Sequence, residues 1–236
     1  MKLYHGTSGR VARRALTEGL LPRSKTGSEG NWEHSCPSNP DLVYLTSAYA
    51  PYFAMTASEP GELWGIVEVD TDLLADYDML PDEDFLEQAS RQQELPEEWG
   101  LNDSSMEDRT RWFREHLCQF QHLWEQSIEH LGNCAHEGGI SPKAITRIAL
   151  YDSKTNPSLS MMAMDPAICL MNYRFCGDKY RALCRWMMGE DVSPALFLGI
   201  PGLDPDAEID GPLKQMVEQY APMLAMRDGL EILVQR

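Results

Sequence analysis

The chain has 236 residues, 43% of them hydrophobic and 24% charged, and a formal net charge of −17. These values fit one domain of generous size, or a core with a helical insertion, and they exclude collagen-like, coiled-coil and wholly disordered chains. No apolar run approaches the roughly eighteen residues a membrane span needs. Lys2-Leu3-Tyr4-His5-Gly6-Thr7 holds no apolar signal core, and the six cysteines lack paired spacing, so a reduced, cytoplasmic protein with no membrane partner is expected.

In chain order, Leu3-Tyr4-His5 begins a strand, and Thr7 or Ser8 can cap a helix whose Val11, Ala12, Ala15 and Leu16 recur at helical spacing up to Gly19. Residues 22–40 are rich in Pro, Gly, Ser and Asn and read as a long loop of the kind that binds something or moves. Leu42 to Thr46 is a strand, followed by a helix carrying Ala48, Tyr49, Tyr52 and Phe53. Leu63 to Val69 is the clearest strand, apolar and β-branched.

Residues 76–108 are polar and acidic with helical pieces. Ser104-x-x-Glu107 looks like a capping box, and Phe113, Leu117, Phe120, Trp124, Ile128 and Leu131 trace one helical face behind it, up to Gly132. Cys134 to Ile140 and Ile145 to Tyr151 read as strands joined by Ser141-Pro142. Residues 166–188 and 211–226 read as helices, and Leu230 to Val234 as a last strand. Strands and helices mix without regular βαβ alternation, which predicts an α+β class.

The charge is uneven. Residues 57–137 hold 21 acidic and 4 basic side chains, while the rest of the chain balances. Residues 1–40 are locally positive, with Lys2, Arg10, Arg13, Arg14, Arg23 and Lys25. Long-range repulsion makes the whole a poor nonspecific binder of nucleic acid, although the basic segment could hold a small anion. His34-x-Cys36, His116-x-Cys118 and Cys134-x-His136 invite a zinc reading, but on a helix positions i and i+2 do not share a face, which spoils the middle pair, and no metal is expected.

Three stretches occur together: Leu3-Tyr4-His5-Gly6-Thr7 with Glu18-Gly19-Leu20 after a helix; Val43-Tyr44-Leu45-Thr46 before a helix with Tyr52-Phe53-Ala54; and Glu137-Gly138-Gly139-Ile140-Ser141-Pro142-x-x-Ile145-x-x-Ile148. This order resembles the ADP-ribosyltransferase superfamily in its His-Tyr-Glu branch. That branch includes the poly(ADP-ribose) polymerases and, more loosely, DNA-targeting toxins and the RNA 2′-phosphotransferases. The likeness covers roughly the first 70 residues and residues 133–151.

The resemblance implies a single domain over 1–236, a split β core with a cleft between two small sheets, an acidic helical insertion at 76–131 and a helical C-terminal part at 160–228. It implies NAD as substrate, cleaved between ribose and nicotinamide. His5 would bond a ribose hydroxyl, and Gly6 and Thr7 would line the cofactor site. Tyr44 would stack on nicotinamide in a pocket shared with His5. Glu137 would orient the ribose and activate the acceptor. From charge alone, and not from the resemblance, Arg13, Arg14 or Arg23 would neutralise the pyrophosphate.

Family members place the carboxylate several residues upstream of the Ile-x-Pro-like turn, where this chain has Gly132, Asn133 and Cys134. Glu129 and Glu83 therefore stand open beside Glu137. The implied activity is mono-ADP-ribosyl transfer to a macromolecule, with RNA or DNA favoured over protein. The implied role is a bacterial or phage toxin or defence effector, with an antitoxin docking on residues 57–137. An NAD glycohydrolase, an RNA 2′-phosphotransferase and an inactive binding module of the same fold are the alternatives.

Overall fold

Alternation decides the central strand. In β1 (Lys2–Ser8) Leu3 packs into one apolar cluster and Tyr4 into another, so successive side chains enter opposite layers. The computed structural model describes residues 1–27, 38–92, 94–155, 157–164, 173–200, 202–204 and 209–235. β1 leads into α1 (Gly9–Glu18), whose buried Ala12 and Ala15 let the helix lie close to the sheet. α1 ends where Gly19 takes φ +80.

A short α2 (Arg23–Thr26) and β2 (Leu42–Thr46) follow. The Thr46 hydroxyl accepts from the backbone N–H of Ala48 and Tyr49 at 3.1 and 3.0 Å, turning the chain into α3 (Ala50–Ala57). Next come β3 (Trp64–Asp70), β4 (Met79–Pro81), α4 (Glu83–Ser90), α5 (Met106–Glu115), α6 (Trp124–Leu131), β5 (Asn133–Glu137) and β6 (Ile145–Tyr151). α7 (Pro157–Met164), α8 (Tyr173–Met187), α9 (Gly211–Ala225) and β7 (Leu230–Val234) complete the described elements.

The strands form a seven-stranded sheet in the order β4-β5-β2-β1-β3-β6-β7, with every neighbouring pair antiparallel. The class is α+β. β1 runs in register with β3 from Lys2 to Ser8, and β2 with β5 from Leu42 to Thr46. The register between β1 and β2 is the single pair Tyr4↔Thr46. The strands expected in two small sheets thus form one sheet with a weak seam near its middle.

One face of the sheet, bearing Leu3, Val43, Leu45, Val67 and Ile148, packs with Ala12 and Ala15 of α1. On the opposite face Tyr4, Ile66 and Ala149 pack with Trp186 and Leu183 of α8. Beside them Leu42, Leu80 and Ala135 pack with Phe85, Phe113 and Leu117 of the acidic segment.

Several boundaries differ from the expected ones for identifiable reasons. The apolar face from Phe113 to Leu131 is not one helix: α5 stops at Glu115, a 3-10 run covers Leu117–Leu123, and α6 begins at Trp124. Leu117, Phe120 and Leu123 recur every three residues, which is the period of a 3-10 turn. The cap of α5 is Ser105, whose Oγ accepts from Asp108 N–H at 3.1 Å, one residue after the expected Ser104.

β5 ends at Glu137 because Gly138 takes φ +70; Ile140 instead bridges Leu20. β4 was not expected, and α7 begins three residues before the helical part expected at 160–228. Residues 28–37 of the expected long loop, and 166–172 of the expected helix 166–188, lie outside the described residues, as do His34 and Cys36.

Candidate functional site

The seam between β1 and β2 gathers the residues singled out by sequence. Past Tyr4↔Thr46 the two strands have no further registered pair, so the carbonyl of Tyr44 faces β1 without a ladder donor. His5 supplies one: its Nδ1 lies 2.8 Å from the Tyr44 carbonyl oxygen. A carbonyl can only accept, so Nδ1 carries the proton. Burial pushes the imidazole below its ordinary value of 6.5, and the bond to Tyr44 opposes this only in part. His5 is therefore neutral at pH 7, with Nε2 left as an acceptor.

The Tyr44 side chain points elsewhere. His5 pairs with Val67, a member of the layer under α1, whereas Tyr44 pairs with Ala135 in the layer under the acidic helices. Strand alternation puts the imidazole and the phenol on opposite faces of the sheet. The structure brings His5 to the Tyr44 peptide but not to its ring, and the shared ring pocket expected from sequence is not formed.

The Tyr44 hydroxyl donates to the Glu83 carboxylate, 2.8 Å from Oε1 and 3.0 Å from Oε2, and accepts from Asn39 N–H at 2.9 Å. Burial, and then the Glu83 charge, hold this phenol well above its ordinary range. Glu83 opens α4, is buried, and also receives Arg114 Nε at 3.4 Å.

The three candidate carboxylates separate clearly. Glu83 is in direct contact with Tyr44. Glu129 is exposed on α6. Glu137 is exposed at the end of β5, opposite Leu42. Because Leu42 and Tyr44 share a face, Glu137 is the diagonal neighbour of Tyr44, about 7–8 Å away by strand geometry. The upstream position is Asn133, level with Thr46 and buried, and its Oδ1 has no hydrogen-bond partner among the described residues.

Gly6 serves close packing. A Cβ there would lie 2.1 Å from the Ala50 carbonyl oxygen and 2.7 Å from the Ala54 nitrogen, so the glycine lets α3 settle onto β1. Thr7 is buried on the His5 face. Arg13 is bound to Glu231 at 2.7 Å over β7, three strands from β1, or about 14 Å at the usual strand spacing. Arg14 is bound to Glu18. Arg23 bonds the Ser38 carbonyl at 2.6 Å and hydroxyl at 3.2 Å, and among the described residues it is the one of these three with no carboxylate partner.

Sequence reasoning missed the Tyr44–Glu83 contact and the Asn39 donor. No local spacing links Tyr44 to Glu83, which lie 39 residues apart. The signal was chemical: Leu80-Pro81-Asp82-Glu83-Asp84-Phe85 puts carboxylates between apolar residues, where a buried acid needs donors. No protein-family model matches the chain, and no curated protein matches it.

Proposed function

We propose that the chain is an NAD-dependent mono-ADP-ribosyltransferase acting on a macromolecule at the His5 side of the seam. The observation that carries this reading is the His5–Tyr44 bond. It fixes a neutral imidazole with Nε2 as acceptor, suited to taking a hydrogen bond from a ribose hydroxyl. Thr7 lines the same face, and Arg23 is the fittest of the three arginines for the pyrophosphate.

In the reaction the bond from ribose C1′ to the nicotinamide nitrogen breaks, and nicotinamide leaves neutral with the electron pair. The acceptor nucleophile forms the new bond at C1′ and gives up its proton. The barrier lies in the positive charge growing on the ribose, which a fixed anion or dipole stabilises. Glu137 is solvent-exposed but stands on the Tyr44 face, so in this reading it takes no step at the His5 side, and the Glu83 oxygens are taken by Tyr44 and Arg114; the acceptor's proton passes to solvent. The biological role we propose is a toxin or defence effector, with a cationic antitoxin docking on the acidic 57–137 region.

Incubation with labelled NAD and a cell lysate, followed by nuclease or protease, tests the reading. The expected result is nicotinamide release with label on a polymer, removed by one of the two treatments. Absence of nicotinamide release overturns it. Release of ADP-ribose without labelling assigns a glycohydrolase instead.

One observation favours a second reading, an inactive binding module. The first residue of β5 is the uncharged Asn133, and Glu137 lies on the face opposite His5. That reading predicts no rise in melting temperature with NAD, since a ligand that binds only the native state must stabilise it.

A further inference from the structure

We propose that Glu83 is a positioning residue for His5, acting through Tyr44. The proposal rests on the enzymatic reading above and adds to it a residue from outside the stretches that carry the resemblance. Elsewhere in the centre of the sheet a continuous ladder fixes each strand, but between β1 and β2 the register is Tyr4↔Thr46 alone. The Tyr44 backbone is held on its far side by the ladder to Ala135 of β5, so what remains to set how β2 and the Tyr44 carbonyl sit toward His5 is the grip on the Tyr44 side chain.

Glu83 provides that grip. Its side chain is 5% exposed, and the Tyr44 hydroxyl at 2.8 and 3.0 Å is nearer than the Arg114 guanidinium at 3.4 Å. A desolvated carboxylate is costly to leave without donors, so Tyr44 cannot swing away cheaply. The hydroxyl is fully committed, donating to Glu83 and accepting from Asn39 N–H. One side chain thus ties the first turn of α4, the segment entering β2, and the peptide that receives His5.

Imidazole nitrogen NMR on the full chain, with the His5 signal assigned from His5→Asn, reads which ring nitrogen holds the proton. Wild type is expected to show the proton on Nδ1. Glu83→Ala and Tyr44→Phe are expected to move His5 to a mixture of tautomers and to lower NAD turnover about 10- to 100-fold, the scale at which misplaced groups lose rate. Glu83→Gln, which keeps an acceptor oxygen, is expected to recover most of both.

Glu87 is the control: it is an equally buried carboxylate on α4, held by Arg91 and Arg109. Glu87→Gln is expected to leave the His5 tautomer unchanged. A folded Glu83→Ala protein with His5 still protonated on Nδ1 overturns the proposal, and so does a Glu87→Gln protein showing the same change as Glu83→Ala. If Glu83→Ala does not fold, Tyr44→Phe decides by the same criteria. If wild type cleaves no NAD, the enzymatic reading fails, while the tautomer measurement still decides what Glu83 does to His5.

Discussion

The Nδ1 proton of His5 is held by the carbonyl oxygen of Tyr44 at 2.8 Å, across strands whose single register pair is Tyr4↔Thr46. His5→Asn places an amide nitrogen close to where Nδ1 stands but removes Nε2. The variant is expected to fold with a melting temperature near wild type and to lose NAD-dependent stabilisation. The pH dependence carries a sign. Folding lowers the His5 value below 6.5, so its contribution to stability is complete above pH 6.5 and is lost as pH falls below it. Thermal melts between pH 8 and 5 should show a smaller acid-side loss in His5→Asn than in wild type.

Gly6→Ala tests how closely α3 approaches β1. Its Cβ would meet backbone atoms of Ala50 and Ala54, which cannot rotate away. A cost of about 1–3 kcal/mol is expected from overpacking. Gly138→Ala is the comparison: nothing lies within 4 Å of its Cβ, so only the strain of φ +70 remains, about 1–2 kcal/mol. Denaturant midpoints of the two variants give the order.

Asp82 caps α4 through Asp84 N–H at 2.8 Å, yet it is buried. Burial, then the charges of Asp84 and Glu83, raise its carboxyl well above the ordinary 3.8. A raised folded value means the stabilising contribution exists below the unfolded value and disappears as pH rises through the folded one. Asp82→Asn keeps the capping oxygen and removes the ionisation. It is expected to melt higher than wild type at pH 7, with the difference shrinking toward pH 4.

Ser105→Ala removes the oxygen that caps α5 and should cost about 1 kcal/mol. The Ser104 hydroxyl donates to the Leu101 carbonyl at 2.7 Å instead, so Ser104→Ala should cost less, within about 0.5 kcal/mol. Equilibrium unfolding of both variants distinguishes the two positions.

These tests also mark how much the sequence revealed. α1 was legible because its apolar residues follow a period of 3.6, and β1, β2, β3 and β6 because they are short apolar, largely β-branched or aromatic runs. β4 was hidden: Met79-Leu80-Pro81 is too short to show alternation, and its burial comes from pairing with β5. The break between α5 and α6 was hidden because a spacing of three and a spacing of four look alike over one or two turns. His5 and Tyr44 were legible as residues, but neither the bond from the imidazole to the Tyr44 peptide nor the face each side chain presents was. That depends on the Tyr4↔Thr46 register, a pairing 42 positions apart that no local pattern encodes.

The weak junction in the middle of the sheet has a consequence for how the native molecule fluctuates. Three strands on one side and four on the other are each laced continuously, so the least costly opening parts them along that line. In heavy water, β2 amides aimed at β1 should exchange sooner than those aimed at β5. A small molecule that bridges the line should slow them selectively.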